Sequence, residues 1–171
     1  MNMVKWTDRK WNFGYTPEYV PLLIERLNCT APRIEELVKN VPETALSKRN
    51  GEHWSVKEHI GHLIDLEELH SGRIDDFKNG AAVLRAADMT NKKTYEANHN
   101  SIASSEIIAN FRKARASYIE KVKNTAPFYF ETKAFHPRLN QQVTLVDMLF
   151  FTAEHDNQHL ASMSGSLVNS L

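Results

Sequence analysis

Residues 144–167 read TLVDMLFFTAEHDNQHLASMSGSL, and their apolar side chains recur at the spacing of one long helix. At about 100° per residue, one face of such a helix collects Leu145, Leu149, Thr152, Leu160, Met163 and Leu167. Thr144 and Asp147 have the three-residue spacing of a helix N-terminal capping pair. The stretch therefore predicts an amphipathic final helix that packs through one face against the rest of the protein.

Two histidines lie on one side of that apolar face. His155 and His159 are four residues apart, so on a helix they stand one above the other and can reach a single ion. If they were ordinary core histidines, two polar rings would sit on an apolar face, which is costly unless each finds a partner. A shared metal satisfies both rings. The pair therefore favours a metal site, with at least one further ligand from a facing helix.

Three more helices are predicted upstream, over residues 16–40, 55–79 and 104–123. Pro32 should break the first near Thr30, because proline lacks the N–H that a helix interior needs. The second begins with a serine followed three residues later by a glutamate, which is the spacing of a capping box. Each helix has enough apolar residues on one face to pack in a bundle.

The two long connections, over residues 80–103 and 126–142, contain no convincing strand pattern. A connection this long in a compact domain is usually a crossover or covers a site. We therefore predict an all-α four-helix bundle with long crossover loops, built as one domain over residues 1–171. Residues 1–15 are rich in aromatic side chains and are expected to fold back over the bundle as an N-terminal arm.

Composition excludes several classes of partner. Lys and Arg together number 21, and Asp and Glu also number 21, so no basic excess would draw the chain to nucleic acid or to anionic lipid. There is no apolar run near the length of a membrane span and no apolar signal core at the start, and the single cysteine, Cys29, cannot form an internal disulfide. We expect a cytoplasmic protein that acts on a small molecule.

The helix predicted over residues 55–79 offers two candidates for the third metal ligand. His59 and His62 both lie on or near its broad apolar face, and helical position does not choose between them. His70 faces the core side of the same helix. His53, His99 and His136 fall in predicted loops, where solvated side chains are the simplest expectation. Three histidines with one open position would be the arrangement of a catalytic metal, whereas a fourth protein ligand would indicate a structural one.

Two acidic residues occupy the apolar faces of predicted helices and need partners if they are buried. Glu67 is a candidate catalytic residue, as a general base or as an acceptor for a ligand imidazole. The alternative is an ion pair with an arginine, for which Arg73, Arg112 and Arg115 are the candidates. Asp156, adjacent to His155, is expected to be structural and to pair with another helix.

Several of these motifs together resemble the DinB family. They are Trp54-Ser55-Val56-Lys57-Glu58, a histidine eight residues after Trp54, Glu67, and Ala153-Glu154-His155-Asp156-Asn157-Gln158-His159-Leu160. The resemblance extends from about Pro17 to Met163. In that family a histidine on the second helix and a pair four residues apart on the fourth bind one divalent metal, so the resemblance favours His62 with His155 and His159. It also implies an up-down-down-up bundle, zinc or nickel as the metal, and a homodimer.

The resemblance implies two related activities. Relatives include S-transferases that use a low-molecular-weight thiol and proteins described as metal-dependent hydrolases, so the predicted metal would activate a thiol or a water molecule towards a small molecule. A different class of function stays open at this point. The bundle would then be a non-catalytic small-molecule-binding or stress-response module in which the metal is structural.

Overall fold

Residues 3–168 are described by the computed structural model, and four long helical segments dominate them. The first consists of α1 (Val20–Asn28) and α2 (Thr30–Val38), and the others are α4 (Val56–Lys78), α6 (Ser104–Lys123) and α7 (Leu145–Val168). Two short helices, α3 (Glu43–Leu46) and α5 (Lys92–Glu96), lie in the connections, with 3₁₀ turns at Trp6–Asp8, Pro17–Tyr19, His99–Ser101 and Pro127–Glu131. The helical boundaries agree with the predicted ones, and the first segment divides at Cys29, close to the break expected from Pro32.

The two predicted helix caps are present. Ser55 and Glu58 form a reciprocal capping box at the start of α4. At the start of α7, the Asp147 backbone N–H donates to the Thr144 hydroxyl (3.1 Å), and the Thr144 N–H donates to the Asp147 carboxylate (2.9 Å). Such bonds satisfy N–H groups that a helix end leaves without partners. The direction and start of both histidine-bearing helices are therefore fixed locally.

The N-terminal arm folds back onto the bundle as predicted. The other oxygen of the Asp147 carboxylate accepts from the backbone N–H groups of Gly14 (2.8 Å) and Tyr15 (3.0 Å), which ties the end of the arm to the cap of α7. Further out, the ring of Trp6 lies 4.8 Å from that of Phe151 and 5.0 Å from that of His155. The arm therefore covers the face of α7 that carries the histidines.

A buried ion cluster joins all four helical segments. Arg115 on α6 donates to the carboxylates of Glu67 on α4 and Asp156 on α7, and to the Leu27 carbonyl at the end of α1. Asp156 also accepts from the Thr30 hydroxyl on α2 (2.7 Å). Asp156 is thus paired with another helix, as predicted. Apolar side chains pack on both sides of this region in two clusters, one that includes Phe77 and Tyr118 and one that includes Ile60 and Phe111.

The expectation of a purely helical protein is wrong in one respect. Strands β1 (Lys133–His136) and β2 (Gln141–Thr144) pair antiparallel inside the connection predicted as a loop. Residues 82–84 lie against β1, where the Leu84 N–H donates to the Phe135 carbonyl (3.0 Å) and the Phe135 N–H donates to that of Ala82 (2.9 Å). Strands of four residues leave too short an alternating pattern to be recognised, and their neighbouring segment is distant in sequence. No helix within residues 3–168 is long and apolar enough to cross a membrane.

Candidate metal centre

Three histidines from two helices meet inside the bundle. His62 comes from α4, and His155 and His159 come from successive turns of α7. Each side chain offers one ring nitrogen, and these three atoms lie within 4.8 Å of one another. The three residues are 5%, 8% and 9% exposed. The structure thus brings together the three residues that the sequence analysis proposed as metal ligands.

The protonation state of these rings suits a cation. Burial lowers the pKa of His62 to about 4, and burial together with neighbouring imidazoles holds the pKa values of His155 and His159 well below the ordinary range. Arg115 and Arg138 lower the pKa of His155 further. All three rings are therefore neutral near pH 7, which is the form that binds a metal. The Nε2 atoms of His155 and His159 are 3.1 Å apart, and Nδ1 of His155 is buried without a hydrogen-bond partner among the described residues. This donor set fits a divalent ion such as zinc.

A chain of hydrogen bonds orients His62. Its Nδ1 lies 3.1 Å from the Thr94 hydroxyl, which donates to Asp65 (3.0 Å), and Asp65 also contacts Nε2 of His99 (2.9 Å). Because the Thr94 hydroxyl gives its proton to Asp65, its oxygen is left to accept from Nδ1–H of His62. That assignment leaves Nε2 of His62 unprotonated and able to bind a metal ion. Carboxylate-linked partners of this kind commonly fix the tautomer of metal-binding histidines.

No sequence pattern pointed to Asp65, Thr94 or His99 as partners of the metal centre. Thr94 and His99 lie in the connection over residues 80–103, and their contacts with α4 span about thirty residues of sequence, so no local spacing could reveal them. The expectation that His99 is solvated was wrong, because the side chain is buried. Its ring lies against α4 at Gly61, where a Cβ atom would come within 2.2 Å of the imidazole. A glycine on this side of α4 is the one signal that a ring packs there.

His59 contacts the cluster differently from His62. Its Nδ1 lies 2.8 Å from Nδ1 of His159, the ring nitrogen opposite the one that faces His155. Among the described residues, the group able to share one ion contains His62 and not His59. The geometry therefore agrees with the family resemblance, which favoured His62 over His59 as the third ligand. His59 would act on His159 as a hydrogen-bond partner.

A cavity of about 320 Å³ opens beside the three histidines. Its walls include the aromatic rings of Trp6, Trp54 and Phe151. Trp6 belongs to the N-terminal arm and Trp54 immediately precedes the cap of α4, so the start of the chain and the start of that helix both form walls of the site. The volume suits a small molecule, and the aromatic lining would limit access of water to it.

Glu67 lies in the buried ion cluster. Its Oε1 accepts from Arg115 (2.6 Å), which is the ion-pair alternative of the sequence analysis, while its Oε2 is buried without a partner among the described residues. Burial raises the pKa of Glu67 to about 7 in spite of the arginine. Glu67 is not among the described residues that line the cavity. A catalytic role for Glu67 stays a prediction.

The remaining histidines divide into one exposed and two buried residues. His53 is exposed, as expected of a loop residue. His70 is buried on α4, in agreement with its predicted position on the core side. His136 was expected to be solvated and is instead 1% exposed, because it lies in β1 with its ring 5.7 Å from that of Phe151. His70 and His136 both line the cavity.

The fold and the site together define a class of protein. It is a helical bundle in which one inward histidine on α4 and two on α7 could hold a metal ion. The chain belongs to the DinB superfamily, whose family profile matches residues 26–163. This finding confirms the resemblance identified from the motifs. No curated protein sequence matches the chain significantly.

Solved structures with the same fold include two of different described function. YfiT from Bacillus subtilis, described as a probable metal-dependent hydrolase with an unusual four-helix bundle topology, has a TM-score of 0.78 at 17% identity and covers 95% of this chain and 93% of its own. A mycothiol-dependent maleylpyruvate isomerase has a TM-score of 0.68 at 8% identity and covers 88% of this chain and 63% of its own. At these identities the likeness shows the fold.

Proposed function

We propose that the protein is a metal-dependent enzyme that holds one divalent ion, zinc or nickel, on His62, His155 and His159 and acts on a small molecule. The observation that carries this proposal is the meeting of three neutral, buried imidazoles beside a cavity of about 320 Å³. An ion held by three protein ligands keeps an open coordination position, where it lowers the pKa of a thiol or a water molecule and provides a nucleophile.

The comparisons support both candidate nucleophiles. YfiT is described as a probable metal-dependent hydrolase, which corresponds to water, and the isomerase is mycothiol-dependent, which corresponds to a low-molecular-weight thiol. We therefore propose a hydrolase or a thiol S-transferase. From the family resemblance we also infer an up-down-down-up order of the four helices and a homodimer. Length and composition lead us to propose a single domain over residues 1–171 and a cytoplasmic location.

The experiment that tests this proposal starts from untagged protein purified without added metal. Its metal content is measured by mass spectrometry, and metal-loaded protein is then assayed with a panel of low-molecular-weight thiols against generic electrophiles and with ester and amide substrates. We expect about one divalent ion per chain and turnover in one of the two assays. Absence of bound metal after exposure to zinc and nickel would contradict the proposal.

The hydrogen-bond chain behind His62 gives a prediction about affinity. Replacing Asp65 by asparagine should weaken metal binding by roughly 10- to 100-fold, because the partners that orient a metal-binding histidine usually contribute that much. The measurement is a competition titration of zinc against a chromophoric chelator. Glu68 is the matched control, since it is an exposed acid on the same helix that forms an ion pair with Lys93 on the surface. Equal affinities of wild type and Asp65→Asn would show that the chain does not orient His62.

Glu67 gives a prediction about turnover. If Glu67 exchanges a proton with the site, Glu67→Gln should lower turnover severalfold or more while the metal content stays near that of the wild type. The Glu67 pKa of about 7 and its Oε2 without a partner among the described residues support this role, but Glu67 does not itself line the cavity. The amide keeps an acceptor for Arg115. If turnover is unchanged in Glu67→Gln, Glu67 is a structural carboxylate of the ion cluster.

The alternative from another class is a non-catalytic binding module with a structural metal. Removing the metal distinguishes the two, because an ion bound only by the folded state stabilises it by RT ln(1 + [L]/Kd). We expect chelation to lower Tm by several degrees while the helical circular dichroism persists, since the apolar clusters and the Arg115 ion cluster contain no metal ligand. Complete unfolding of the metal-free protein would favour the structural module.

A further inference from the structure

A second set of polar side chains lines the cavity that contains the three histidines. Arg73 comes from α4, His136 from β1 and Arg138 from the turn that follows β1. Arg73 and His136 are almost completely buried, and Arg138 is half-buried. Three groups that can donate hydrogen bonds, two of them cationic, therefore converge on one wall of the cavity from three different segments.

His136 presents a buried donor that lacks an acceptor. The Leu139 backbone N–H donates to Nδ1 of His136 (3.3 Å), so in the neutral ring the proton is on Nε2. Burial and the two arginines lower the pKa of His136 to about 4, which keeps the ring neutral. Its Nε2 is buried without a partner among the described residues. Buried donors are nearly always paired in native proteins, so this N–H indicates a missing acceptor.

Among the described residues, neither guanidinium forms a hydrogen-bonded ion pair with an acid. The Arg138 guanidinium has no hydrogen-bond partner within residues 3–168 and lies 5.4 Å from the centre of the Phe151 ring. Arg73 donates from Nε (3.2 Å) and Nη2 (3.1 Å) to the backbone carbonyl of Arg85, which carries no charge. Asp76 attracts Arg73 without a hydrogen bond between them, and its carboxylate accepts from the Arg85 guanidinium. Arg73 therefore shares one acid with Arg85, and Arg138 has no acid partner among the described residues.

One acid does line the cavity, and it is already engaged. The Asp88 carboxylate accepts from the Thr90 N–H and hydroxyl and from the Lys92 N–H. These three bonds occupy both of its oxygens and hold it in the turn before α5. Among the described contacts, neither Arg73 nor Arg138 donates to Asp88.

We propose that Arg73, Arg138 and His136 form a binding subsite for a carboxylate of the ligand that reacts at the three-histidine centre. A carboxylate would compensate the two guanidinium charges and would accept from the unpaired Nε2–H. The neighbouring rings of Trp6 and Phe151 would contact the apolar part of a small organic acid. The link to a reaction rests on the proposed function, whereas carboxylate binding does not.

The test titrates benzoate and its neutral isostere benzamide into metal-free protein, and binding is measured by isothermal titration calorimetry and by tryptophan fluorescence. We expect benzoate to bind roughly tenfold or more tightly than benzamide. The preference should disappear in Arg138→Gln, which loses no hydrogen bond within the described residues, and should survive in part in Arg138→Lys. Arg112→Gln, which removes a surface arginine paired with Glu35, is the control and should keep the preference. Equal binding of benzoate and benzamide to the wild type would overturn the proposal.

A second part of the experiment distinguishes this subsite from the metal centre. In His155→Ala the benzoate preference should persist, because the proposed subsite consists of Arg73, His136 and Arg138 and does not include His155. A preference that is lost in His155→Ala and kept in Arg138→Gln would place the carboxylate at the histidines and would overturn the subsite. Conversely, a wild type that binds no metal but prefers benzoate would contradict the proposed function and still support the subsite.

The carboxylate has two chemical sources, the substrate and a thiol cosubstrate. N-acetylcysteine and its methyl ester distinguish them when titrated into wild type and Arg138→Gln. If Arg138→Gln weakens the acid selectively and leaves the ester unchanged, the subsite accepts the carboxylate of the thiol. If the two thiols bind alike while benzoate keeps its preference over benzamide, the subsite accepts the carboxylate of the substrate. Either result supports the proposal.

Discussion

Replacing any one of His62, His155 and His159 by alanine should reduce bound metal from about one ion per chain to near zero. Two imidazoles hold a divalent ion poorly in competition with water, and among the described residues the group able to share the ion contains only these three histidines. The measurement is metal content by mass spectrometry after dialysis against a weak chelator, with circular dichroism to verify that each variant is folded.

Two other histidines are the controls for this prediction. His53 is exposed and His59 faces the far nitrogen of His159, so both alanine variants should keep stoichiometric metal. His59→Ala can weaken affinity, because it removes the partner that would hold the His159 proton on Nδ1. Metal retained in His62→Ala and lost in His59→Ala would show that the wrong histidine of α4 was assigned to the site.

The features that could be predicted from the sequence are those with local signals. The capping pairs of Ser55 and Thr144 and the four-residue spacing of His155 and His159 depend only on helical geometry, and all of them are present in the structure. The choice of His62 over His59 needed the family resemblance, because both lie near one apolar face of α4. Helical position alone does not report which ring nitrogen faces a neighbouring helix.

The parts that were missed depend on contacts between distant segments. Thr94 reaches His62 from a connection without periodicity, and His136 is buried only because β1 pairs with β2 and with residues 82–84. Strands this short leave no alternation long enough to detect. Both segments contribute to the cavity, so the sequence identified the candidate ligands better than it identified the walls around them.

The ion cluster around Arg115 shows a similar limit. Glu67 was recognised as a buried acid in need of a partner, and three arginines were compatible with its position on α4. The packing of α6 against α4 is what makes Arg115 the partner of Glu67. The same arginine also pairs with Asp156, so one side chain satisfies both acids that lay on apolar faces of the predicted helices. The connection between the two acids could not be inferred from either helix alone.

Removing Arg115 should therefore destabilise the fold strongly. In Arg115→Met, the carboxylates of Glu67 and Asp156 would stay buried without their counter-charge, and breaking a buried pair in this way costs about 3–5 kcal/mol. The measurement is the free energy of unfolding in urea, compared at unchanged m value. Arg112→Met is the matched control, because Arg112 is on the same helix and its pair with Glu35 is exposed, so a loss within ~1 kcal/mol is expected.

A triple variant tests the physical reason for that loss. If the destabilisation comes from uncompensated buried charge, then Arg115→Met combined with Glu67→Leu and Asp156→Leu should recover a large part of it, because apolar replacement of a whole buried ion cluster is often neutral or stabilising. The Thr30 hydroxyl would lose its bond to Asp156 but keep the Arg26 carbonyl within 3.5 Å. A triple variant as unstable as Arg115→Met would mean that the packing of the arginine stem, and not its charge, holds the four helices together.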